Sequence, residues 1–209
     1  MNRRGAPDKT LGIVPGPTSF QERMTFCNRL DEKGFEKWAF HPAMLFGSHR
    51  KWWGDPGRRD RPHEGLDLCL YRTKQGDVQY LDEKTCVPLI FEGEVAKVCD
   101  DFLGQSVFVR HSDCHSDGSQ LHTIYGHLKP LSRICQGKRL AEGTIIGTIA
   151  DTGKSGAAIP PHLHISVAWI SNTVSPGELS WRTVGDPEKV VLVDPLPVIK
   201  CPYSIVAGI

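Results

Sequence analysis

An antiparallel all-β domain is the fold class this sequence predicts, on three observations. Short runs of β-type residues follow one another from residue 66 onward, separated by glycine turns. Leu66, Leu68 and Leu70 alternate with Asp67, Cys69 and Tyr71, the period-2 signature of a strand. Helical spacing is confined to one stretch near the N-terminus, while 21 glycines and 15 prolines supply the turns that many short strands need.

Residues 1–17 carry Gly5, Pro7, Gly12, Pro15, Gly16 and Pro17 and read as an extended arm. Residues 18–59 read as a helix plus an aromatic-rich irregular segment packing on the core. Ser19 and Glu22 have capping-box spacing, Phe20, Met24, Cys27 and Leu30 recur at helical spacing, and Gly34 stops this short helix near residue 33. Between Phe35 and Pro62, Trp38, Phe40, Phe46, Trp52 and Trp53 show no period. That segment reads as an irregular loop, either a wall of a substrate groove or a cover for the core.

Residues 60–199 form the main domain. After the 66–71 alternation, strands are expected at Val87–Ile90, Glu94–Val98, Ser106–His111, Leu121–Tyr125, Thr144–Ile149 and His164–Trp169. Residues 175–188 read as a long loop insertion, Val190–Val193 as a last strand, and residues 200–209 as a tail.

Composition narrows the function. A formal net charge of +1 argues against a nucleic-acid or membrane-surface binder. The seven cysteines contain no C-x-x-C pair, which argues against a zinc ribbon or finger. Arg3 and Arg4 are followed by no apolar run of signal-peptide length, and no stretch reaches the length of a membrane helix. The compartment is therefore open: cytoplasm, or beyond it by a signal not seen here.

Three groups of residues carry chemistry. His162 and His164 lie two apart at a strand start, so both rings lean to one face while Leu163 and Ile165 take the other. His63-Glu64-Gly65-Leu66-Asp67 has the i, i+4 spacing of a helical metal motif, but Pro62, Gly65 and the following alternation make it a strand entry. Fully extended, His63 and Asp67 would stand about 13 Å apart, so a bend at Gly65 is expected to bring them together. Glu64 then points away and is not the general base. In Tyr125-Gly126-His127-Leu128, His127 shares parity with Tyr125 and Thr123, and His122 lies on the opposite face as a structural or exposed residue. The stretch Gly147 to Ser155 imitates a phosphate-binding loop but has five residues between its glycines where four are required. A hairpin such as 142–149 also occurs in carrier domains that modify a lysine, for which Lys154 is the candidate.

Together the three groups, in this order, resemble the lysostaphin-type (LytM-like) zinc metalloendopeptidases: H-x-G-x-D at residues 63–67, Y-x-H-L at 125–128, and Gly153-Lys154-Ser155-Gly156 running on to Pro161-His162-Leu163-His164. The resemblance covers roughly residues 60–197, making residues 60–199 a catalytic peptidase domain. It implies a β-sandwich-like hybrid of antiparallel sheets (a duplicated hybrid motif) and one Zn²⁺ per chain held by His63, Asp67 and His164. His127 and His162 are then the pair beside the metal, moving protons or stabilising the oxyanion, with their division open. It also implies peptidoglycan peptide cross-links as substrate and a periplasmic or extracellular site of action, cytoplasmic being the alternative. A non-catalytic, wall-binding or amidase-activating member of the same fold is the other function considered.

Overall fold

The computed structural model describes residues 14, 16, 18–54, 57–115, 117–154 and 159–207. Apart from Val14 and Gly16, the expected arm over 1–17 lies outside the described residues, as do Ser155 and Gly156 of the glycine motif. The elements in chain order are α1 (Phe20–Cys27), β1 (Phe35–Phe40), β2 (Leu66–Leu68), β3 (Leu70–Thr73), β4 (Val78–Tyr80), β5 (Cys86–Pro88), β6 (Gly93–Asp100) and β7 (Gln105–Cys114). They continue with β8 (Gln120–Pro130), β9 (Arg139–Leu140), β10 (Ile145–Ile149), β11 (Leu163–Ile170), α2 (Trp181–Val184), β12 (Val190–Val193), α3 (Pro195–Ile199) and β13 (Tyr203–Ile205).

Strands dominate and form two sheets. The smaller has the order β13-β1-β3-β4, and the larger follows β12-β11-β8-β7-β6-β9, with β2, β5 and β10 joined to it. One core takes side chains from both: Trp38, Phe40 and Tyr71 from the smaller sheet, Leu121, Tyr125, Leu163, Ile165 and Val167 from the larger. A sandwich of this kind agrees with the all-β expectation. More than the one expected short helix is present, since α2 and α3 are formed within 181–199.

Four local expectations need correction. The N-terminal helix ends at Cys27, not near residue 33, because Arg29 turns left-handed at φ 52° and Asn28 leaves to clamp β5, giving and taking a hydrogen bond at the Cys86 backbone. Ser19 makes no capping box, because its hydroxyl bonds the Glu142 carboxylate instead. Residues 35–40 are a strand, not irregular loop; a bulge between Phe35 and Lys37 breaks the alternation that would have revealed it. The stretch read as a tail also contains β13, paired in parallel with β1.

The larger sheet forks where its neighbours change. Along one edge of β8, residues Gln120 to Gly126 pair with β11 and Leu128 to Pro130 with β10. Along the far edge of β11, residues 167–170 pair with β12 and residues 163–165 with β2. The candidate residues gather at this fork.

Candidate metal centre

His164 and Asp67 are directly opposed across the β11–β2 ladder, so both side chains leave the same face of the sheet. His63 arrives from a two-stranded ribbon, its N–H bonded to Ser48 O and its carbonyl to Gly47 N. The three ligand-type atoms converge: His63 Nε2 to Asp67 Oδ1 is 3.0 Å, His164 Nδ1 to Asp67 Oδ1 is 2.8 Å, and His63 Nε2 to His164 Nδ1 is 3.1 Å. All three residues are buried.

The proximity of residues 63 and 67 does not come from a glycine-only backbone angle. Gly65 is required for close approach: a Cβ there would lie 2.1 Å from Ile165 O and 2.6 Å from His164 Nε2.

The outer hydrogen bonds select the inner lone pairs. His63 Nδ1 lies 3.0 Å from Leu45 O, and since a carbonyl only accepts, Nδ1 carries the proton and Nε2 is left to face the cluster. His164 Nε2 lies 2.9 Å from Ser166 Oγ, a hydroxyl able to accept an N–H there in the tautomer that leaves Nδ1 a lone pair. Asp67 Oδ2 accepts from Trp52 Nε1 at 2.7 Å and from Arg59 at 3.5 Å, so Oδ1 alone points inward. Burial raises the Asp67 pKa, but the imidazoles of His63, His164 and His162 gathered around it outweigh this and hold the carboxyl well below its ordinary value. Burial, against the opposing pull of Asp67, lowers His164 to about 4, keeping its ring neutral at pH 7.

Two imidazoles and one carboxylate with converging lone pairs repel one another unless a proton or a metal cation sits among them. A tetrahedral Zn²⁺ at about 2.0–2.1 Å from each would separate them by roughly 3.3 Å, close to the distances found. Donor types, tautomers and spacing fit such an ion, and the three residues form a group geometrically able to bind a metal.

His127 and His162 flank the group without joining it. His162 lies just before β11, with Nε2 3.9 Å from Asp67 Oδ1 and Nδ1 3.0 Å from the Pro160 carbonyl. Burial lowers its pKa to about 4. The His127 and His162 ring centroids are 4.8 Å apart. His127 is turned to this face by means that parity did not anticipate. Tyr125 and Thr123, its expected companions, face the main core, opposite to His164. Gly126 and His127 together oppose Ser106 in a bulge, and His127 takes the left-handed φ of 62°, which flips its ring toward His164. His122 is buried on the strand away from the cluster, its Nδ1 bonded to Gln120 O.

A groove of about 380 Å³ opens over these residues, lined also by Trp53, Arg59, Glu64, Phe102 and Trp181. Glu64 therefore lines the groove rather than turning away from it. Three of the four site imidazoles have an aromatic edge against them: Trp52 on His162, Phe102 on His127 and Trp181 on His164. Sequence reasoning missed Trp52 and Arg59 as partners of Asp67, and Asp101 as a partner of His127, none of which lies in a recognisable motif. Among the described residues no helix is long and apolar enough to cross a membrane.

A search of curated proteins returns no match. Among solved structures, a mutant of the catalytic domain of the prophage-encoded M23 protein EnpA from Enterococcus faecalis is 22% identical, covering 66% of this chain and 92% of that one, with a TM-score of 0.38. Lysostaphin in solution is 20% identical over 82% of this chain and 57% of its own, with a TM-score of 0.45. A putative M23 peptidase from Pseudomonas aeruginosa is 21% identical over 74% of this chain and 57% of that one, with a TM-score of 0.36. The profile of peptidase family M23 matches residues 72–176, just over half the chain and including His127, His162 and His164. The chain belongs to peptidase family M23.

Proposed function

We propose that this protein is a zinc-dependent endopeptidase that hydrolyses peptide cross-links of bacterial peptidoglycan, acting in the periplasm or outside the cell. One observation carries the reading: three lone-pair atoms converge within 3.1 Å of one another, with two further imidazoles facing the same groove, in a chain of family M23. His63, Asp67 and His164 would hold one Zn²⁺, leaving a position open to water. When bound, such an ion acidifies a water and polarises a carbonyl oxygen.

The chain's own residues do the rest. Trp53, Phe102 and Trp181 offer apolar walls for an extended peptide and restrict access of bulk water. His127 and His162 stand beside the metal group, where one takes the water's proton and the other assists the carbonyl oxygen or the departing amine. The two sheets correspond, on this reading, to the β-sandwich-like hybrid of the lysostaphin-type enzymes.

The test is digestion of purified peptidoglycan of both glycine-bridged and directly cross-linked types by zinc-loaded protein, with mass spectrometry of the fragments. New amino and carboxyl ends at cross-links are expected, together with about one zinc per chain. Metal-loaded protein that releases nothing from either type would refute the endopeptidase and favour a wall-binding or amidase-activating role.

A further inference from the structure

We propose that Asp101 is the positioning residue for His127, fixing its ring and tautomer so that Nε2 faces the groove as the acceptor for the attacking water's proton. The inference rests on the hydrolytic reading above and divides the work between the two histidines that reading leaves equivalent.

The Asp101 carboxylate grips His127 at two points. Oδ2 accepts the His127 backbone N–H at 2.8 Å, and Oδ1 lies 3.2 Å from ring Nδ1. A carboxylate only accepts, so Nδ1 bears the proton and Nε2 keeps the lone pair. The same carboxylate accepts from Leu103 N at 2.9 Å, Gly104 N at 2.8 Å and Ser106 Oγ at 2.7 Å. Burial raises the Asp101 pKa, but the hydrogen bonds from the ring and backbone of His127 and from Ser106 outweigh this, and the carboxyl pKa lies well below its ordinary value.

Three features suit this cage to holding a ring in place. His127 occupies a left-handed backbone conformation that is strained for a non-glycine residue, and the bond to its N–H holds the chain there. The turn carrying Asp101 is pressed against β8, since a Cβ on Gly104 would lie 2.7 Å from Leu128 O. Ser106 in turn accepts from Trp181 Nε1 at 2.9 Å, so the loop before β12 braces the cage from the groove side. Among the described residues His162 has no such carboxylate on its Nδ1, which meets the neutral Pro160 carbonyl, and the nearest carboxylate, Asp67, stands 3.9 Å from its Nε2, beyond hydrogen-bond distance. The proton passes from the attacking water to His127 Nε2, then to the amine nitrogen released as the C–N bond breaks. The Nδ1 proton stays on His127 throughout.

The experiment compares zinc-loaded wild type with Asp101→Asn in peptidoglycan digestion, alongside nitrogen-15 spectra of the imidazoles in metal-free wild type, assigned with His127→Gln. Asp101→Asn is expected to lower kcat about 10²- to 10⁴-fold while KM and zinc content stay within about twofold. The spectra are expected to show His127 as the Nδ1–H tautomer. A kcat within about threefold of wild type, or His127 found as the Nε2–H tautomer, overturns the proposal. Should Asp101→Asn fail to fold, the wild-type tautomer still decides, and Ser106→Ala, which removes one of the cage's donors, is expected to show a smaller fall in kcat at unchanged zinc. Wild type that cleaves nothing refutes the hydrolytic reading instead, and the tautomer then tests the hold of Asp101 on His127 independently of activity.

Discussion

Replacing Trp52 with Phe removes one hydrogen bond from the carboxylate proposed to bind metal while keeping most of the buried ring. The indole N–H is 2.7 Å from Asp67 Oδ2, and both groups are buried, so no water stands ready to replace it. A hydrogen bond to a charged group is worth about 1.5–3 kcal/mol. Among the described residues Arg59 at 3.5 Å is then the only remaining partner of that oxygen, too distant to hold its orientation. Expressed in metal affinity at about 1.4 kcal/mol per tenfold, the loss is roughly 10- to 150-fold, in line with the 10- to 100-fold cost of removing partners of metal ligands. Competition with a chromophoric chelator measures it directly. Thermal melting with and without zinc gives a second reading, because an ion bound only to the folded state raises the midpoint by mass action. A zinc affinity within about twofold of wild type, with an unchanged zinc-induced shift, would show that the bond is incidental to the site.

Other consequences can be tested in parallel. His164→Ala should lose zinc and activity together, whereas His162→Ala should lose activity and retain most of the metal; equal loss of zinc in both, by elemental analysis, would refute the assignment. Gly65→Ala must displace either the Ile165 carbonyl or the His164 ring, so it should cost about 1–3 kcal/mol of stability and most of the metal, read by denaturant unfolding and zinc content. His122 is lowered by burial from 6.5 to about 4, so the unfolded chain takes up its proton first as the solution is acidified. Its contribution is complete above pH 6.5, declines as pH falls from 6.5 toward 4, and amounts to at most roughly 3 kcal/mol. His122→Gln should flatten that part of the stability profile; an unchanged slope would contradict the burial argument.

The central strands of the larger sheet were legible because they are short runs of β-type residues between turns, with Ile165, Val167 and Trp169 alternating with His164, Ser166 and Ala168, although both faces of that strand are buried. The gathering of His63, Asp67 and His164, with His127 and His162 beside them, was legible because these residues lie in short motifs. What the sequence hid has specific causes. The bulge at Phe35 to Lys37 masked β1. The left-handed turn at His127 reversed the face that strict parity gives it, so its ring reaches the cluster by a route other than the one expected. Trp52, Arg59 and Asp101 reach the site from 15, 8 and 26 residues away from the groups they hold, distances at which no local pattern links partners.

The recognisable family segment begins at residue 72, inside β3, while β2 supplies both Asp67 and the edge partner of β11 beside His164. A fragment cut at that boundary would lose two of the three converging groups together with Trp52 and Arg59. It would also bare the backbone of Leu163, His164 and Ile165 as an unpaired edge open to pairing with other chains. The smallest part of this protein worth expressing on its own is therefore longer than the part by which its family is recognised, and its N-terminal limit lies ahead of Trp52.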